Sequence, residues 1–384
     1  MDPQETFCPN AACPAKGVRG QGNIGVHSRK ERRYRCHTCG KTFAATRGTP
    51  YYRLHHAAEV LTMVVTLLSL GCPLQAIVVA FGLDERTVRA WWLHSGQHSE
   101  QVHTHLVQAG RVDLGHVQAD ELWVKMRQGR VWQAMAMAVP SRLWLGGVLS
   151  PQRDESLIRT LMERVRTCAC SLAVLVCVDG LASYVTAVRH VFRVPIPTHK
   201  PGRPRLVLPP TVLVAQVVKQ AKKRRVVGVT QRVVLGTAKA VAAVLAATHS
   251  GRQINTAYIE RLNATFRACL VPLTRRGRRL VRDVSLLQAG MFLVGTAYNF
   301  CWVHRSLRVR AGLAGAWQER TPALAAGLTD HVWTMQEMLG YHVPPAPYVA
   351  PKRRGRPPKP KAEAVSPPTR RGRPPKPRPT EVAA

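Results

Sequence analysis

The sequence predicts an α/β protein whose main domain follows two small modules and precedes a basic tail that does not fold. Three stretches carry this prediction. The run SLAVLVCVDG (171–180) is apolar without interruption, as expected of a strand buried on both faces at the centre of a sheet. From Val112 onward, short β-type runs separated by turn residues replace the helical pattern that precedes them. The stretch QINTAYIERLNATFR (253–267) has helical periodicity, with Ile254, Tyr258, Leu262, Phe266 and Cys269 on one arc and Thr256, Glu260, Asn263 and Arg267 on the opposite one.

Charge narrows the class of partner. The 384 residues hold 56 Lys plus Arg against 21 Asp plus Glu, a formal charge of +35. A field of that sign draws in polyanions, and double-stranded DNA is the first candidate. A membrane partner is not expected, because the chain has neither a run of about eighteen apolar residues nor a basic amphipathic helix. The N-terminus MDPQETFCPN lacks an apolar signal segment, so a cytoplasmic, nucleoid-associated protein with reduced cysteines is expected.

Residues 1–50 read as a metal-held module. Cys8 and Cys13 make one pair, Cys36 and Cys39 a second, and a segment this short buries too little apolar surface to fold unaided. Four thiolates around one structural Zn2+ would supply the missing stability, although the first pair is C-x4-C and not the usual C-x2-C. Arg19, Arg29, Lys30, Arg32, Arg33 and Arg35 between the pairs suit phosphate contacts that position the module without reading sequence.

Residues 57–108 read as a helix-turn-helix. An apolar helix over 59–70 stops at Gly71-Cys72-Pro73, a short helix follows over 74–81, and Gly82-Leu83-Asp84 turns the chain into a third helix that Asp84 caps. Arg86, Thr87 and Arg89 point outward for a major groove, with Val88, Trp91 and Trp92 inward. A plain three-helix bundle is the competing interpretation. His98, His103 and His105 on the tail of this helix are expected to be solvated.

Residues 112–192 deliver two aspartates. A β-meander turns at Gln128-Gly129, a helix spans about 154–167, and the central strand ends on Asp179. A carboxylate finishing a wholly apolar strand is not there for packing, since chemistry gathers at the ends of central strands. Asp120 lies midway along the first strand, and strand alternation sends Glu121 to the opposite face. Three strands, a helix and a central strand is the order of ribonuclease-H-like folds, in which the first and central strands lie side by side. Asp113, Asp154 and Asp283 lack such placement.

These residues together carry a family resemblance. The cysteine module, the helix-turn-helix, Asp120 in ADELW, Asp179 in VDG, and INTAYIERLNATFR followed by AYNFCWVHRSLR look like insertion-sequence transposases of the DDE type, in the IS-one-like group with an N-terminal zinc ribbon. The likeness covers about residues 5–310. It implies a ribonuclease-H-like catalytic domain over 112–310, and it implies that Asp120, Asp179 and Glu260 hold two Mg2+ (or Mn2+) ions. Metal-dependent strand cleavage and strand transfer by a homo-oligomer on DNA would follow. Two hard cations suit phosphodiester attack, since they activate the nucleophile and stabilise the leaving oxygen.

The remaining segments add basic surface. Residues 193–252, rich in proline, lysine and arginine, read as an insertion lying along DNA, with Lys222 to Arg225 on phosphate and His199 or Lys200 near the site. Arg275, Arg276 and Arg278 follow the Glu260 helix and would flank the metal site, as would Asn263 and Arg267 on it. Residues 311–343 read as a helical segment. The tail over 344–384 is too poor in apolar residues to fold, and it holds Arg354-Gly355-Arg356-Pro357 and Arg371-Gly372-Arg373-Pro374. These two copies resemble AT-hooks, in which glycine lets the backbone sink into a narrow A·T-rich minor groove and arginines follow its floor. Two alternatives compete with a transposase: a non-catalytic DNA-binding regulator or domesticated transposase, and a ribonuclease acting on RNA–DNA hybrids.

Overall fold

The structure is a computed structural model that describes residues 2–126, 129–196, 203–222, 225–248, 250–251, 253–270, 273, 283–310, 315–346, 348 and 372. At the N-terminus, β1 (Ile24–Ser28), β2 (Arg33–Cys36) and β3 (Thr42–Ala44) form an antiparallel sheet in the order β1-β2-β3. Its core is Ile24, Tyr34 and Phe43 packed against Cys8, Cys13 and Cys36. That is too little apolar area for a self-sufficient fold.

Three helices follow: α1 (Ala58–Ser69), α2 (Leu74–Phe81) and α3 (Glu85–Leu106). Gly82 ends α2 in the left-handed region, and Asp84 caps α3 by accepting the Arg86 N–H at 2.7 Å. Leu61, Val64, Leu68, Ile77, Val88 and Trp91 are buried between them. The tail of α3 departs from the sequence reading. His98 and His103 are buried, not solvated, because α3 runs on into the main domain and packs along α8 (Val284–Phe300). Gly96 permits this approach, since a Cβ there would sit 2.4 Å from the carbonyl oxygen of Ala289. The His98 Nε2 lies 3.2 Å from the Met338 carbonyl and the His103 Nε2 3.3 Å from that of Leu145. The stretch Val284–Leu307, of which α8 is the first part, is long and apolar enough to cross a membrane by length and composition, but it is mostly buried, and α8 forms a core helix of this domain.

The main sheet has six strands in the order β11-β10-β7-β4-β5-β6. The meander is β4 (Gly115–Lys125), β5 (Arg130–Ala138) and β6 (Leu143–Ser150), all antiparallel. After α4 (Glu155–Cys168), β7 (Val174–Asp179) inserts parallel to β4, with Gly115 opposite Val174 and Gln118 opposite Cys177. Burial of both its faces, Val174, Val176 and Val178 on one and Leu175 and Cys177 on the other, explains the unbroken apolar run. After α5 (Ala182–Val191) come a small hairpin, β8 (Val194–Ile196) with β9 (Arg205–Val207), and then β10 (Val212–Lys222) and β11 (Arg225–Leu235). Strand β10 pairs parallel with β7 and antiparallel with β11. Part of the segment read as an insertion is therefore sheet: its Val-rich runs complete the side of β7 away from β4.

Helices cover both faces. Val117, Ala119, Val176 and Val178 pack with α4 and α5 on one side. On the other, α6 (Ala238–Ala247) covers Leu175, Cys177, Leu213 and Ala215, while α7 (Ala257–Cys269) and α8 cover Leu122, Val124, Met135 and Met137. A hairpin, β12 (Val309–Arg310) with β13 (Trp317–Gln318), and two short helices, α9 (Pro322–Ala325) and α10 (Met335–Gly340), close the described chain.

Candidate functional site

The four cysteines of the N-terminal module converge. Cys8 Sγ lies 3.7 Å from Cys39 Sγ and Cys13 Sγ 3.9 Å from Cys36 Sγ, and all four sulfurs are within 4.8 Å of one another. Zn–S bonds of about 2.3 Å in a tetrahedron put sulfurs about 3.8 Å apart, so the set fits one Zn2+. The Lys41 backbone N–H holds the Cys39 thiol down to about 6, while burial raises that of Cys8.

The second cluster forms where β4 and β7 part. Their pairing ends at Gln118 and Cys177, and the oxygens of Asp120, Glu121 and Asp179 lie within 4.8 Å of one another at the opening. Glu121 does leave β4 on the α4–α5 side, as alternation requires, where Arg153 meets its Oε2 at 3.2 Å. It nevertheless reaches the cluster. Among the described residues no strand fills the gap beyond the last pair, so side chains from both faces meet there. Arg153 also lies 3.4 Å from the Asp179 Oδ2, and the Asp179 Oδ1 accepts the Leu181 N–H at 3.0 Å.

Helix α7 brings a fourth acid. The buried Gln118 side chain, two residues before Asp120 on the same face of β4, accepts the N–H groups of Tyr258 and Ile259 at 3.0 Å each and donates to the Asn255 carbonyl at 2.8 Å. This satisfies donors that every helix start leaves open and fixes α7 against the strand. Glu260 then faces a cleft of about 310 Å³ lined also by Asp120, Asp179, Arg153 and Lys219. Its carboxylate lies outside the tight trio and is engaged by Lys219 at 2.5 Å and by the Thr256 hydroxyl at 3.1 Å.

Burial pushes Asp120 up to about 6, with the charges of Asp179 and Glu260 adding to it. Glu121 is pushed up to about 7, by burial first and then by Asp179, with Arg153 opposing. The Glu121 Oε1 is buried without a hydrogen-bond partner, and so is the Tyr184 hydroxyl nearby. An oxygen-only donor set with an orphaned carboxylate oxygen fits a hard divalent cation.

The other expected residues are placed as follows. Asn263, expected on DNA, is 1% exposed and donates to the Asp120 Oδ2 at 2.8 Å; it is buried because α7 docks on β4 through this bond. Arg267 lines the cleft that also holds Asp120, Lys219 and Glu260. Arg86 and Arg89 stand on the first turns of α3 beside Thr87, paired with Asp84 at 3.3 Å and Glu85 at 3.6 Å. Asp154 and Asp283 prove to be the caps of α4 and α8. Arg275, Arg276, Arg278, His199, Lys200, Lys223 and Arg224 lie outside the described residues, as do Arg354, Gly355, Arg356, Pro357, Arg371, Arg373 and Pro374; Gly372 is exposed. Sequence reasoning missed Gln118, Arg153 and Lys219. For Lys219 a signal existed: it sits two positions after Val217, the partner of Asp179, in a strand otherwise rich in valine. Neither a protein-family model nor a curated protein matches this chain.

Proposed function

We propose that the chain is a DNA transposase of the DDE type, which cleaves and joins DNA strands at the ends of a mobile element with divalent metal. One observation carries this reading: in a protein of charge +35, acids from β4, β7 and α7 face one cleft at the end of the central strand. The succession β6-β5-β4-β7-β10, with β7 and β10 parallel to β4, supports a ribonuclease-H-like domain. The cysteine module as a zinc ribbon, α1–α3 as a helix-turn-helix and the tail as paired AT-hooks would supply duplex binding.

Asp120 and Asp179 would hold Mg2+ or Mn2+, with the open Glu121 Oε1 and Glu260 as further ligands. Bound there, such cations would supply activation of an attacking water or 3′-hydroxyl and stabilisation of the leaving oxygen. Asn263 keeps the Asp120 carboxylate aimed into the cleft. Arg153 offsets the charge of Glu121 and Asp179, and Lys219 that of Glu260.

The same two cations favour a second reading, a DNA-binding protein whose acid cluster is neutralised internally and does no chemistry. Asp179→Asn separates the two. A transposase loses magnesium-dependent nicking of duplex DNA by at least about a thousandfold while keeping its DNA affinity. Nicking absent from the parent, or unchanged in the variant, favours the non-catalytic reading.

A further inference from the structure

The next residue of α7 after Glu260 opens on a different depression. Arg261, Tyr258, Arg142, Tyr298, His304 and Arg305 line a cleft of about 740 Å³. No carboxylate lines it, and among the described residues none of the three guanidiniums has an ion-pair partner. Like charges gathered in a concavity repel one another, and an anion relieves that repulsion.

The cleft is built to hold its cations in place. Arg142 sits in the β5–β6 turn at φ 60°, a left-handed conformation uncommon for residues other than glycine. It persists where the surroundings dictate it. Here the guanidinium lies 3.8 Å from the centre of the Tyr258 ring and donates to the Val139 carbonyl. His304 is held edge-on by Tyr298, with ring centres 4.5 Å apart, and its Nε2 is buried without a partner. Burial, aided by Arg142 and Arg261, keeps that imidazole neutral, down to about 4. The imidazole thus adds no positive charge to the cleft.

Planar guanidiniums beside aromatic side chains match a phosphodiester with its attached nucleoside. We propose that this cleft seats a backbone phosphate of the same DNA strand that lies in the acidic cleft. Successive residues Glu260 and Arg261 face the two sites, so the strand crosses α7 between them. A helix is about 10–12 Å across, and a strand advances about 3.4 Å per nucleotide, which puts the seated phosphate about three nucleotides from the reacting one. The proposal rests on the reading of the acidic cleft as a DNA-strand site, whether or not that site is catalytic.

Cross-linking tests it on the full chain. Oligonucleotides carrying one 5-iodouracil are irradiated with the protein, and the linked peptides are identified by mass spectrometry. The expected result is a link to Tyr258 or Tyr298 that falls about tenfold in Arg261→Gln and in Arg305→Gln, the loss of one charge-assisted contact each. Both side chains are exposed, so neither variant disturbs folding. Asp179→Asn keeps the link, which separates this proposal from the catalytic one: a retained link without any nicking activity in the parent leaves the phosphate site standing and removes the enzyme. No link to either tyrosine overturns the proposal, as does a link unchanged in both arginine variants. Complete competition by inorganic phosphate assigns the cleft to free phosphate and overturns the strand assignment.

Discussion

The Lys219 Nζ lies 2.5 Å from the Glu260 Oε1, joining the end of β10 to the first turn of α7 across the acidic cleft. An ammonium there occupies ground that a divalent ion bound to Glu260 would need. The pair is about half exposed on both sides, so its strength is modest, about 1 kcal/mol at most. Lys219→Met should therefore tighten Mn2+ binding by about three- to fivefold, as measured by titration calorimetry. An affinity that stays the same or weakens shows that the lysine does not compete with the ion.

Zinc should be stoichiometric and structural in the N-terminal module. The six-residue core around β1–β3 is small, and four sulfurs at tetrahedral spacing replace what it lacks. One zinc per chain is expected by elemental analysis, and Cys36→Ser should lose it and expose residues 8–44 to protease while the main domain stays resistant. A variant that is metal-free and still protease-resistant through this segment would show that the module folds on its own.

These two sites differ in how openly the sequence announced them. The cysteine pairs and the apolar strand ending at Asp179 were legible because each violates a default: thiols in pairs on a short segment, and a carboxylate closing an apolar run. Glu121 was not, because alternation gives a side chain's direction and says nothing about where strand pairing stops. Strands β10 and β11 were hidden by the proline and basic residues around them, and the sheet could be completed only by knowing that β7 needed a neighbour on its far side. His98 and His103 misled for a related reason. Polar residues on a helix tail suggest water, yet the all-round apolar α8 required a cover, and α3 supplied it.

That cover makes the fold sensitive to pH. Burial lowers His103 to about 3 and His98 to about 4, so both stay neutral in the native state. An unfolded histidine titrates near 6.5, so their contribution is complete above that value and is lost as the pH falls through it toward the native values. Asp120 and Glu121 act with the opposite sign, since their raised values make the native state bind more protons as the pH drops. Comparing the parent with His103→Gln cancels this common part. The parent's Tm advantage should shrink by about 2 °C or more between pH 7 and pH 5, read by calorimetry. A constant difference would mean that His103 is charged or solvated in the native protein.

Gln118 gives the sharpest test of how α7 is held. Its amide is fully buried and makes four bonds to the start of the helix: the oxygen accepts the N–H groups of Tyr258 and Ile259, and the nitrogen donates to the Asn255 carbonyl and to the Asn255 Oδ1. Gln118→Leu keeps the approximate volume and removes all four, leaving the Tyr258 and Ile259 N–H groups without this acceptor. The cost should be about 2–4 kcal/mol, visible as a lower urea midpoint with an unchanged slope. The second consequence is local. With its first turn released, α7 no longer fixes Glu260 and Asn263 against Asp120, so nicking activity should fall by about a hundredfold even at temperatures where the variant is fully folded. Gln118→Glu keeps the acceptor for the two N–H groups but loses the donor to Asn255, and should recover only part of the stability. If Gln118→Leu proves as stable as the parent, α7 is anchored by its apolar face alone, and the carboxylates meet without this amide's help.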